Sequence, residues 1–129
     1  MLEDIKPPIV EDIAVAVIKE DEDWNAYLLN LKSVAIEGVL VSSRGYGEQD
    51  GDTVKTSSLR HFLDVLQPQS FQKIELIPQN LHGISNEYWV SFYLNKKMYD
   101  KKYIFLAETI IEDNFRTIPL INKPGVMIK

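Results

Sequence analysis

Carboxylates recur at alternate positions in two stretches of the chain. Asp21 and Asp23, with Asn25, form one set. Glu48, Asp50 and Asp52 form the other, inside Ser42-Ser-Arg-Gly-Tyr-Gly-Glu-Gln-Asp-Gly-Asp-Thr53. Oxygen ligands of this kind suit a hard cation such as Ca²⁺. Loops from different strands meet at one end of a β-sandwich, so the two sets are a candidate metal site if they converge. An EF-hand is excluded, because Ala26 and Lys32 stand where that loop needs Gly and a bidentate Glu. Gly, Asp and Asn are also the ordinary residues of turns, and two solvated turns are the simpler reading.

The glycines of the same stretch raise the question of phosphate. A P-loop ends in Gly-Lys-Ser/Thr because the lysine meets the terminal phosphates. Here Thr53 is preceded by Gly51-Asp52, and a carboxylate repels phosphate at that point. A dinucleotide loop needs Gly-x-Gly-x-x-Gly, but Gly51 follows Gly45-Tyr46-Gly47 one residue too late and no clear helix comes after it. Both nucleotide readings fail. The expectation is a mobile loop with Tyr46 at its tip, available to another protein.

Nucleophilic and acid–base chemistry has few carriers. There are no cysteines, which removes thiol catalysis, thiolate metal sites and disulfides. The only histidines are His61 and His82, far apart in sequence, and no Gly-x-Ser-x-Gly elbow is present. Lone histidines are usually structural or surface residues. No catalytic set and no cofactor are expected, and the protein reads as a non-enzyme.

A lysine-rich aromatic segment carries the case for nucleic acid. Residues 88–105 hold seven of the thirteen aromatics, together with Lys96, Lys97, Lys101 and Lys102. Aromatic faces stack bases while lysines meet phosphates, so these lysines with Tyr99 and Tyr103 are the alternative single-stranded nucleic-acid set. Against it, lysines also protect edge strands from pairing with other chains. The formal net charge of −5 weighs the same way, since affinity for nucleic acid comes mainly from neutralised phosphates.

The tail, residues 107–129, is apolar without an amphipathic period. Pro119 and Pro124 argue against a helix or a central strand there. Such a segment either wraps its own domain and covers an open edge or adds to a partner as a strand, and in-cis wrapping costs less entropy. Phe115, Ile118, Leu120, Val126 and Met127 are its candidate protein-binding residues.

These segments need a framework to hold them, and the sequence is one of strands. At 129 residues with 45% hydrophobic and 26% charged residues, the chain matches a single globular domain with a full core. Ile13 to Ile18 is a continuous β-branched run suited to a strand buried on both faces. The acidic tract Glu20 to Asp23 turns the chain into a second strand, Trp24 to Leu31. A third, Val34 to Ser43, is interrupted by Gly38, which suggests a bulge or a close backbone contact. Residues 57–66 are ambiguous. Leu59, Phe62, Leu63 and Leu66 follow a helical stripe, yet they run into a turn at Leu66-Gln-Pro-Gln-Ser70 that reads as a link between strands. Phe71 to Ile77 alternates, and Tyr88 to Leu94 with Met98 to Leu106 forms a hairpin about Asn95-Lys96-Lys97.

About seven strands joined by short links predict an all-β antiparallel sandwich. The strand order, together with the Leu66 to Ser70 turn and the closing aromatic hairpin, resembles the immunoglobulin-like sandwiches of many bacterial proteins. The chain as a whole resembles a small family of uncharacterised bacterial proteins, a resemblance that implies this fold and no activity.

The expected division is a single domain, 1–129. It has an acidic arm at 1–11, a sandwich core at 12–106 and a tail at 107–129 packed on the core or a partner. The start, MLEDIKPPIVEDI, is acidic and holds prolines where a secretory signal needs a basic, then apolar stretch, so a cytoplasmic protein is expected. No run is long and apolar enough for a membrane. The expected function is an interaction module that binds another protein, or a second copy of itself, through a sheet edge, loops or the tail. A nucleic-acid binder and a Ca²⁺-binding sandwich are the alternatives.

Overall fold

The computed structural model describes residues 8–129. Most of the expected arm therefore lies outside the described residues. What is described is all-β, two antiparallel sheets of five strands each packed face to face. The only helical turns among the described residues are two three-residue 3₁₀ turns, Gln79–Leu81 and Glu112–Asn114. No helix among the described residues is long and apolar enough to cross a membrane.

Ten strands follow in chain order: β1 Ile13–Glu20, β2 Asp23–Asn30, β3 Ile36–Gln49, β4 Asp52–Lys55, β5 Leu59–Leu66, β6 Ser70–Leu76, β7 Ser85–Leu94, β8 Lys97–Phe105, β9 Arg116–Thr117 and β10 Pro124–Ile128. The first sheet runs β6-β2-β1-β10-β9. The second runs β4-β3-β7-β8, with β5 also paired to β3. β4 and β5 therefore lie end to end along one side of β3. Between them, Thr56 and Gly45 exchange hydrogen bonds: the Thr56 amide donates to the Gly45 carbonyl, and the Gly45 amide donates to Thr56 Oγ1 at 2.7 Å.

β1 is apolar on both faces because both faces are covered. Ile13, Val15 and Val17 point into the space between the sheets, beside Leu28, Val41, Val90 and Phe92. Ala14, Ala16 and Ile18 point outward and are equally buried, against Leu29 and Ile118. Tyr103 ties the sheets together, its buried hydroxyl donating to the Ile13 carbonyl at 2.7 Å. Asn30 is a second buried clamp. Its amide nitrogen donates toward the carbonyls of Val34, Leu66 and Gln67, where the chain crosses from one sheet to the other.

Three expectations need correction. The stretch from Ser42 to Thr53 is a strand pair, not a loop. β3 continues through Gln49, turns at Asp50-Gly51, both at positive φ, and returns as β4. Asp-Gly is a pair that a two-residue primed hairpin turn favours, since both central residues take positive φ. Residues 59–66 are a strand. His61 and Leu63 turn inward with period two, and an irregularity around Asp64 (φ +60) adds the extra residue that brings Leu66 inward as well. The i+3 spacing of Leu63 and Leu66 comes from that irregularity and not from a helix. The tail, finally, is not barred from the sheet by Pro124, which stands at the first position of β10 where β9 ends.

The bulge at Gly38 is present, as a register shift of β3 against both β5 and β7. The closing hairpin turns at Asn95-Lys96, both at positive φ. Gln69 sits at φ +51, and its side-chain amide donates to the Leu31 carbonyl at 2.6 Å.

Candidate functional site

The second sheet has one face in the core and one facing outward. Alternation sets which residues lie on each. In β7, Tyr88, Val90 and Phe92 point inward, so Trp89, Ser91 and Tyr93 point outward. Hydrogen-bonded register then aligns Arg60, Ser42, Trp89 and Lys102 in one row across β5, β3, β7 and β8. The next row is Phe62, Leu40, Ser91 and Asp100, and beyond it Tyr93 stands opposite Met98.

Large side chains on this face are uncovered. Trp89 is 46% exposed, Tyr93 47%, Met98 51% and Phe62 68%. The small Ser42 between Arg60 and Trp89 leaves shallow hollows of about 250 and 230 Å³ on either side of the indole. The Lys102 ammonium lies 4.7 Å from the Trp89 ring, and the indole N–H donates to Asp100 at 3.3 Å. Arg44 pairs with Glu87 at 2.9 Å, and that carboxylate is almost wholly buried beneath it. The result is an ordered patch of aromatic, thioether and guanidinium groups, the composition enriched at protein interfaces.

At the open edge between β5 and β6 lies a second feature, a cleft of about 280 Å³ lined by Ser43, Thr56, Glu75, Asn86 and Tyr88 among others. Ser43 donates to Glu75 Oε1 at 2.5 Å, and His61 Nε2 lies 2.7 Å from the same oxygen. A hydrolytic triad places the histidine between serine and acid. Here the carboxylate is between serine and histidine, so His61 cannot take the Ser43 proton. Burial, and then the nearby Glu75 carboxylate, push the Tyr88 hydroxyl well above its ordinary range and keep it protonated.

His82 sits at the other histidine position with its ring edge-on to Trp24 at 4.9 Å. Burial pulls its pKa below the usual imidazole value, and its Nε2 is buried without a hydrogen-bond partner among the described residues. The residue as a whole is only partly buried, lining a hollow with Trp24, Glu22, Ile110 and Glu112, and no carboxylate is hydrogen-bonded to it among the described residues.

The residues singled out from sequence are dispersed. Tyr46 lies within β3, half-buried, its ring 5.5 Å from the Arg44 guanidinium and its hydroxyl 3.5 Å from Glu87; the hairpin tip is Asp50-Gly51 instead. Asp21 and Asp23 flank the β1–β2 turn, and Glu48, Asp50 and Asp52 surround the β3–β4 turn. Among the described residues no three acidic or histidine side chains gather to hold a metal ion.

The nucleic-acid set is split between faces. Tyr103 is fully buried, Tyr99 stacks on buried Phe92 at 5.3 Å, and Lys101 bonds the Lys129 carbonyl at 2.9 Å. Of the four lysines, Lys96, Lys97 and Lys102 remain well exposed; Lys102 lies over Trp89, outside the expected set, and Lys97 over the half-buried Tyr99.

In the tail, Ile118 is completely buried and has no surface to offer a partner. Phe115 packs against Trp24 at 5.5 Å; Leu120, Val126 and Met127 are half-buried.

No family model, curated protein or solved structure matches the chain. The outward row through Trp89 was not singled out from sequence. Its signal was present, since Trp89, Ser91 and Tyr93 alternate with the core residues of the same strand.

Proposed function

We propose that the protein is a non-enzymatic interaction module that binds another protein through the outer face of its second sheet. The observation that carries this reading is the ordered, uncovered patch of Trp89, Tyr93 and Met98 with Arg60 and Lys102 beside them. Folded chains seldom leave large apolar side chains together on one face unless something binds there, and Trp, Tyr and Arg dominate interface energetics. The strand order favours the immunoglobulin-like form of the sandwich. β1 and β2 lie in one sheet, β3 crosses to the other, β6 returns, and β7 and β8 cross again, as in a Greek key. A cytoplasmic setting fits the lack of cysteines.

The test compares affinity capture by the native chain and by a Trp89→Ala, Arg60→Glu variant in the native host. The reading expects a stoichiometric protein partner with the first and its loss with the second, with unchanged circular dichroism. Equal capture by both would refute it. Sedimentation of the purified chain decides whether the partner is a second copy.

A further inference from the structure

The cleft between β5 and β6 has features that a structural hydrogen-bond cluster does not need. We propose that it binds the primary ammonium group of an alkylamine, with Glu75 Oε2 as the acceptor. This goes beyond the outer-face reading and does not depend on it.

Both protein donors, Ser43 and His61, converge on Oε1. Oε2 makes no hydrogen bond among the described residues, although the Glu75 side chain is only 18% exposed. A carboxylate fixed by one oxygen in a cleft, with the other free, is a preorganised acceptor for a single charged donor. The cleft chemistry narrows the class. An anion is repelled by Glu75. A metal ion lacks further ligands. A guanidinium binds best with both oxygens in a fork, and Oε1 is already taken twice. An ammonium needs only one oxygen and can place its other protons toward water or neighbouring hydroxyls.

The walls supply the rest of the ligand. Leu59, Leu76 and Leu81 line the same cleft, and the first two are 51% and 44% exposed at its mouth. An alkyl chain would cover them. The ligand is therefore an ammonium on an apolar stem, either a free small amine or the lysine side chain of another protein.

The experiment titrates the native chain with n-pentylamine and, separately, with n-pentanol, following backbone amide shifts by NMR. Saturable shifts at Ser43, Glu75 and Tyr88, with a Kd of about 1 mM and at least about tenfold preference for the amine, are expected. Equal binding of amine and alcohol, shifts that map elsewhere, or no saturation at roughly ten times that concentration would overturn the proposal. Glu75→Gln should lose the preference, and a Glu75→Gln chain that is folded yet keeps it would also overturn the proposal. Nα-acetyl-lysine amide distinguishes the sources. Binding as tight as the free amine points to a lysine side chain, and binding of the free amine alone points to a small molecule.

Discussion

The two sheets bury their inner faces in the same way but treat their outer faces differently. On the first sheet the tail folds back over β1. Ile118 seats on Ala14, Ala16 and Ile18, and β10 pairs along the β1 edge, from Val15 opposite Ile128 to Ile18 opposite Gly125. Gly125 permits the approach, since a Cβ there would lie 2.4 Å from the Val17 carbonyl oxygen and 2.8 Å from Ile18 Cδ1. Two ion pairs hold the outside, Lys123 with Glu20 at 2.6 Å and Lys19 with Glu112 at 2.9 Å. On the second sheet Trp89, Tyr93 and Met98 stay about half exposed, with no segment among the described residues laid over them. One apolar face is covered by the chain's own tail; the other is the face that we propose meets a partner. Of the two expected roles for the tail, wrapping its own domain is the one seen: its apolar residues close the first sheet.

The largest expected effect separates the faces by stability. Ile118→Ala leaves a cavity under the tail and should cost about 2–5 kcal/mol. Trp89→Ala should cost well under that, because the indole is already half in water. Chemical denaturation of the two variants checks the difference, and equal losses would break the comparison. Truncation after Thr117 sharpens it further. It strips β10 from β1, and unfolding or aggregation should follow, since an apolar β1 edge is then exposed.

Next in size is overpacking. Gly125→Ala forces the new methyl into the Val17 carbonyl and should destabilise by about 1–3 kcal/mol, read from the same denaturation midpoints. On the open face the expected effect is on binding alone. Trp89→Ala should weaken the partner complex by about 2 kcal/mol or more, roughly thirtyfold, with the melting temperature nearly unmoved.

The smallest effect is a pH dependence at the tail clamp. The Lys123 ammonium first, then the Tyr27 hydroxyl, hold the Glu20 carboxyl down to about 2 from an ordinary 4.5. The folded state therefore binds the proton less readily than the unfolded chain. Its contribution is intact above pH 4.5 and is lost as pH falls toward about 2. A Glu20→Gln chain should lack that component in acid titrations of stability.

Much of the fold was legible in the sequence because alternation and turn chemistry are local. The β1 run, the Gly38 bulge and the Asn95-Lys96 hairpin could each be read from a few neighbouring residues. Asp50-Gly51 was equally readable, but its flanking glycines and acids suggested a loop. The strand at 59–66 was not readable, since an irregularity mimics helical spacing when the partner strand is unknown. The outer face was hidden for a related reason. Arg60, Ser42, Trp89 and Lys102 come from four strands, and only the register brings them into one row. Ser43, His61 and Glu75 likewise meet only where β3, β5 and β6 converge.

Site-specific photo-crosslinking in the native host tests the central contrast most directly. A photoreactive residue is placed at Ser91 or Tyr93 on the open face, and at Ile121 or Met127 in the tail that packs on the covered one. Discrete protein adducts from the first pair and none from the second are expected. Adducts from the tail positions, with none from the open face, would contradict the account.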